Sequence, residues 1–250
     1  MGDLPHDARL YTTQMLLALA SSPLSWTGDN SIRVIGYSLG GGIATHFANA
    51  FPNMISSLVL LAPAGLVRAE RFGRITRFVF SSGIIPERIL ASITSQRLQK
   101  PLAQAATKDP AMSAPPTPAV ELAASELGNP NAGALLPLEK RVSEYVRWMV
   151  SHHIGFVPAF MSSIRHAPLM GQHEAWKQLA KRKPGTTAVI LAKKDEIINL
   201  GDYETDGLPL LGGDGNVLWK VLPGTHDFVM THSAEILEVL DDIWEMKPIR

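Results

Sequence analysis

SIRVIGYSLGG, residues 31–41, is an apolar β-rich run that breaks into glycine around a serine. Ile32, Val34 and Ile35 make the run, Gly36-Tyr37-Ser38-Leu39-Gly40 makes the break, and GGIATHFANAF then reads as a helix ended by Pro52. Strand, sharp turn and helix in that order lift a serine hydroxyl out of a sheet, because the turn backbone is strained and only small neighbours tolerate it. Gly36 and Gly40 are read as giving that room on either side of an exposed Ser38, and Gly41 and Gly42 as lying where the new helix packs closely on the sheet. The helix start adds a positive dipole end and a free amide at Leu39 that can donate to a developing oxyanion. With glycine at about 7% of residues, the five-residue pattern arises by chance in roughly one chain in ten to twenty of this length. The flanking strand and helix therefore carry the reading of Ser38 as a nucleophile. The competing reading is a structural glycine turn with a bystander serine.

Working outward, DARLYTTQMLLALASSPL has Leu10, Met15, Leu16, Leu17, Leu19 and Ala20 at spacings that predict a helix ending near Ser22-Pro23. ISSLVLLAPAG is a second apolar run, and TTAVILAKKDEII and NVLWKVLPGTHDF are two more. HEAWKQLAKR and SAEILEVLDDIWEM read as helices, the latter with Ser233 as N-cap. Four strands ending near Gly36, Ala62, Ala192 and Leu222, alternating with helices, predict an α/β fold with a mostly parallel sheet. The chain divides into three blocks: 1–65 with the serine turn, 66–165 without a clear strand, and 166–250 with the remaining strands. The middle block holds amphipathic segments at 68–80 and 87–98, a Pro- and Ala-rich loop at 108–141 and a helical stretch at 143–165. Helical material inserted between strands of a parallel sheet usually covers a site, so this block is expected to be a helical lid; the competing reading is a solvated helical subdomain.

Composition excludes several classes of function. The 250 residues hold 23 basic and 23 acidic side chains, so no charge excess points to nucleic acid or an anionic membrane surface. The absence of cysteine removes disulfides, thiolate metal sites and a thiol nucleophile, and fits a reducing, cytoplasmic compartment. No metal-ligand spacing and no phosphate-binding glycine loop is present, so neither a metal nor an organic cofactor is expected. MGDLPHDARLY has no signal pattern, and no apolar run approaches the roughly 20 residues of a membrane span.

A serine needs a base, and there are eight histidines. His226, in VLPGTHDFV, follows a strand and precedes the last helix, so it lies on the loop edge where catalytic groups of a parallel sheet gather. His232 is its nearest rival; His46 reads as packed, His152 and His153 as part of the insert, and His6, His166 and His173 as surface residues. The orienting carboxylate is read as Asp195 at the end of VILAKKDEII, with Glu196 as the alternative because neighbours in an extended segment face opposite ways. Asp227, adjacent to His226, is not expected to reach it.

The chain order Ser38, Asp195, His226 separates this set from the chymotrypsin and subtilisin orders. GYSLGG, SSLVLLAPAG, VILAKKDEII and LPGTHDF together resemble the nucleophile elbow, following strand, acid strand and histidine loop of the α/β-hydrolase family, in the manner of its esterase, lipase and thioesterase-like members. The resemblance covers the first and third blocks, and the second falls where that family carries its variable lid. It implies a Ser-His-Asp serine hydrolase acting on an ester, thioester or lactone without cofactor, and the apolar middle block suggests a hydrophobic, lipid-like or polyketide-like acyl group as its substrate. C–C cleavage and perhydrolysis on the same fold stay open, as does a non-catalytic, binding-only relative. The family's elbow follows the fifth strand of eight, whereas one helix precedes it here, and no His-Gly pair is present to supply the second oxyanion amide. The resemblance thus implies a partial sheet: an N-terminally truncated hydrolase of weak or no activity, or a compact variant completing its sheet by dimerising.

Overall fold

A computed structural model describes residues 4–68, 70, 86–99 and 138–245. Most of the 68–80 segment and residues 108–137 of the Pro- and Ala-rich loop lie outside that set. The described elements run α1 (Ala8–Ala20), β1 (Ile32–Tyr37), α2 (Leu39–Ala50), β2 (Ile55–Leu61), α3 (Glu87–Leu98), α4 (Leu138–His152), α5 (Phe156–His166), α6 (His173–Leu179), β3 (Thr187–Ala192), β4 (Leu218–Leu222), α7 (Phe228–Thr231) and α8 (Ser233–Glu245). A helical stretch over 200–210, with a π-type turn at Tyr203–Gly207, lies between β3 and β4.

The four strands form one parallel sheet in the spatial order β1-β2-β3-β4, which is also their chain order. They end at Tyr37, Leu61, Ala192 and Leu222, within one residue of the ends predicted from sequence. The two central strands read as unbroken apolar runs because both faces are covered: Leu58, Val59, Leu60, Val189, Ile190 and Leu191 are fully buried. The outer strands are wetter, and Ile35 of β1 is 44% exposed. Among the described residues β1 pairs only with β2.

Contacts divide the chain into two compact units. One joins Ala8–Arg68 to Pro168–Arg250 and contains the sheet. In it α2 buries Leu39, Ala44, Phe47 and Ala48, a stripe at helical spacing, and packs against β1, β2 and α6. The predicted first helix is present as α1 but buries none of its residues, because Leu10, Met15, Leu16, Leu17 and Leu19 are distributed around its axis and not along one stripe. Helix α8 starts at Ser233 itself, so the residue expected as its N-cap is the first residue of the helix.

The other unit holds Met1–Asp7 and Ala69–Ala167. Its helices α3, α4 and α5 share a core of Leu90, Leu98, Val146, Val157, Phe160 and Met161. Leu90, Thr94 and Leu98 recur every fourth residue on α3, and Val142, Val146 and Val150 do so on α4, which is why short helices of modest apolar content can bury a common stripe. The Arg165 guanidinium grips the Glu87 carboxylate with two N–H groups, one of them at 3.1 Å, and ties the end of α5 to the start of α3.

Candidate active site

Ser38 sits between β1 and α2 with φ 51° and ψ −120°, in the left-handed region that side-chain-bearing residues avoid. The turn is held from several directions. The Ser38 N–H donates to the Leu61 carbonyl at 3.0 Å, and the Ser38 carbonyl accepts from Gly41 at 2.9 Å and from Ala64 at 2.7 Å. Glycine is required at Gly36, where a Cβ would stand 2.6 Å from the Gly40 carbonyl and 2.8 Å from Ala44. It is also required at Gly41, against Pro63 at 2.5 Å, and at Gly42, against the Pro168 carbonyl at 2.6 Å. At Gly40 the expectation of steric room fails. A Cβ there meets nothing within 4 Å, because the first turn of α2 directs it outward. The crowding belongs to Gly36, which looks at the Gly40 backbone, and to the two glycines facing the loop after β2. The Leu39 N–H opens α2, where the first amides of a helix have no acceptor one turn earlier.

The structure brings Ser38, His226 and Asp195 together at the C-terminal edge of the sheet. Ser38 Oγ and His226 Nε2 are 2.9 Å apart, and His226 Nδ1 and Asp195 Oδ2 are 2.7 Å apart. The second Asp195 oxygen accepts the Ile197 and Ile198 amides at 2.8 and 2.7 Å, which fixes the carboxylate plane. The acid loop and histidine loop are joined by backbone: Lys193 N–H donates to the Leu222 carbonyl and Lys194 N–H to that of Gly224. Gly224, at φ 106°, has no space for a side chain, with His232 and Phe228 atoms about 3 Å from where a Cβ would be. Ser38 is 1% exposed and His226 is fully buried, so the exposed serine anticipated from the motif is instead a covered one.

Two neighbours hold the imidazole from behind. The Tyr37 hydroxyl donates to the His226 carbonyl at 2.6 Å, and the two rings stack with centroids 5.3 Å apart. The Glu196 carboxylate accepts the His226 backbone N–H at 3.3 Å, so Glu196 contacts the same residue as Asp195 but at its main chain. Tyr37 was missed from the sequence; its position inside the elbow, one residue before the serine, was the available signal. Asp227 accepts from the Thr225 hydroxyl and does not reach the ring.

The loop after β2 forms the floor. Ala62 has φ 37°, a second strained residue beside Ser38. Tyr203 donates its hydroxyl to the Pro63 carbonyl at 2.6 Å, accepts the Leu66 N–H at 3.2 Å, and packs edge-on against Trp176. Burial pushes the Tyr203 phenol far above its ordinary value, so it remains a donor at all physiological pH.

The other histidines lie elsewhere. His46 Nε2 contacts Gln172 Oε1 at 2.7 Å, and His152 stacks on Trp148. His232 pairs with the Thr231 hydroxyl at 2.9 Å, the His6 amide donates to the Ser162 hydroxyl, and the His153 ring lies against Gly155. His166 ends α5 and His173 opens α6. Among the described residues no cluster of three or more His, Asp or Glu could hold a metal ion, and no helix is long and apolar enough to cross a membrane.

A family described as the alpha/beta hydrolase fold matches residues 24–201, more than two thirds of the chain. The chain belongs to that family and is classed with the hydrolase enzymes. Three solved structures share its fold. MenH from S. aureus superposes with a TM-score of 0.58 at 16% identity, over 98% of this chain and 78% of that one. A meta-cleavage product hydrolase from Pseudomonas fluorescens IP01 gives 0.55 at 14%, over 98% and 74%. A carboxylesterase of the thaumarchaeon Nitrososphaera gargenis gives 0.56 at 14%, over 98% and 75%. No curated protein matches the chain by sequence.

Proposed function

We propose that the chain is a serine hydrolase that cleaves an ester, thioester or lactone of a hydrophobic acyl group. The observation that supports this reading is the unbroken relay from Ser38 Oγ through His226 to Asp195. Ser38 Oγ attacks the carbonyl carbon while His226 Nε2 takes the hydroxyl proton. Asp195 holds the ring in the tautomer that leaves Nε2 free to accept, and stabilises the imidazolium that forms. The Leu39 N–H donates to the oxyanion. Collapse of the tetrahedral species expels the alcohol or thiol, which leaves with the proton from His226. Water, deprotonated by His226, then attacks the acyl-enzyme, releases the carboxylic acid and restores Ser38.

Residues 66–165 are assigned a lid role, and their apolar content favours an acyl substrate.

The test is intact-mass labelling with a fluorophosphonate, alongside turnover of p-nitrophenyl esters of graded chain length. Stoichiometric modification of Ser38, lost in Ser38→Ala, with turnover rising with chain length, is the expected result. A folded chain that takes no label and turns over no ester overturns it in favour of a binding role without catalysis.

A further inference from the structure

At the opposite end of the strands from Ser38, where β2 starts at Ile55 and β3 at Thr187, a cavity of about 510 Å³ opens in the sheet-bearing unit. Five residues of β2, Ser57 to Leu61, lie between this cavity and the catalytic edge, about 17 Å of strand, so it is no extension of the acyl site. Arg182 lines it, flanked by the exposed Lys181 and Lys183, while Ala48, Pro52 and Ile55 give it an apolar wall. Among the described residues no acidic one lines it.

Arg182 is the unusual member. It is half-buried, donating from Nε to the Thr187 hydroxyl at 3.1 Å and from Nη2 to the Ile55 carbonyl at 3.2 Å. Those bonds use two of the five N–H groups of a guanidinium. Among the described residues no carboxylate lies within ion-pair distance of it, whereas Arg68 is paired with Asp202 and Asp206 and Arg165 with Glu87. Burial lowers the Arg182 pKa with no neighbouring anion to restore it. A half-buried cation in a cavity with two more cations and an apolar wall has the composition of a site for an amphipathic anion.

We propose that this cavity binds an organic phosphate. The phosphoryl oxygens take the remaining Arg182 N–H groups in a forked contact, Lys181 and Lys183 add charge at the mouth, and the organic part lies on Pro52 and Ile55. Phosphate esters of this kind occur as free small molecules and as lipid headgroups.

Calorimetric titration of the full chain with phenyl phosphate and with inorganic phosphate at low ionic strength measures the site directly. Saturable one-to-one binding of phenyl phosphate is expected, tighter than inorganic phosphate because of the apolar wall. It should weaken at least tenfold in Lys181→Glu/Lys183→Glu, which changes exposed residues only, and disappear in Arg182→Gln. If Arg182→Gln unfolds, the double variant decides. Co-sedimentation with phosphatidylglycerol vesicles but not phosphatidylcholine vesicles, lost in the double variant, assigns the phosphate to a lipid headgroup. Phenyl phosphate binding without sedimentation assigns it to a free molecule. The proposal is overturned if neither probe binds, or if the double variant binds both as tightly as the unaltered chain.

Discussion

The Tyr37 hydroxyl and the His226 carbonyl meet at 2.6 Å across 189 positions of chain, and the Tyr37 ring stacks on the imidazole it supports. The residue before Ser38 thus carries the loop that bears the proposed base. Tyr37→Phe keeps the ring and removes the hydrogen bond. It should cost about 1 kcal/mol in denaturant unfolding. It should also lower kcat about tenfold at unchanged KM, a fraction of the roughly 10²-fold loss that a 1 Å displacement of a reacting group produces. Equal kcat in the two proteins would remove Tyr37 from the positioning machinery.

Asp195 and Glu196 both touch His226, one at the ring and one at the backbone. Asp195→Asn leaves a side chain of the same shape that no longer fixes the tautomer, so the rate of ester hydrolysis should fall about 10⁴-fold with the fold intact. Glu196→Gln retains an acceptor for the His226 amide and should change the rate by less than tenfold, since it leaves the ring geometry in place. Burst kinetics on an activated ester distinguish the two.

The glycines of the elbow should not behave alike. Gly36→Ala and Gly41→Ala force backbone or proline atoms apart and should each cost about 1–3 kcal/mol. Gly40→Ala enters open space on a helix and should be neutral or slightly stabilising, since alanine is the better helix former by about 1 kcal/mol. Thermal melts of the three single variants give the ordering.

The pairing of Arg165 with Glu87 makes a modest pH signature. Its hydrogen bonds to Arg165, offset in part by desolvation, hold the Glu87 carboxyl below its ordinary value. A lowered folded-state pKa gives stability that is present above the unfolded value and lost as pH falls through the folded one. Because Glu87 is 62% exposed, the contribution is under about 1 kcal/mol. Glu87→Gln should remove that small acid-side slope from unfolding curves and leave stability at high salt nearly unchanged.

How much of this was legible in the sequence is clearest at single residues. The four strands were readable because ISSLVLL and TAVILA are unbroken apolar runs with stop signals, and the elbow because glycines cluster where a strand meets a helix. The three residues that meet at the sheet edge could be named because each follows a strand, and parallel strands deliver their ends to one side. Gly40 was misread because a pattern does not say which way a Cβ points. The role of Tyr37 went unread because its partner is a main-chain carbonyl, and only its place beside Ser38 in the elbow hinted at it. The burial of Ser38 was equally hidden, since burial is set by tertiary packing and not by a local pattern.

Tyr37 and Leu61 are the last paired residues of adjacent strands, and the residues that follow them, Ser38 at φ 51° and Ala62 at φ 37°, are both strained. Each such residue costs on the order of 1–3 kcal/mol, so two neighbouring strand ends are held under tension side by side, with the Ala64 amide bonded to the Ser38 carbonyl across them. Sequences that drift toward glycine at either position would gain robustness and surrender the alignment that the tension maintains. A selection for heat tolerance alone, applied to this chain without any demand for turnover, should therefore accumulate glycine at 38 and 62 first.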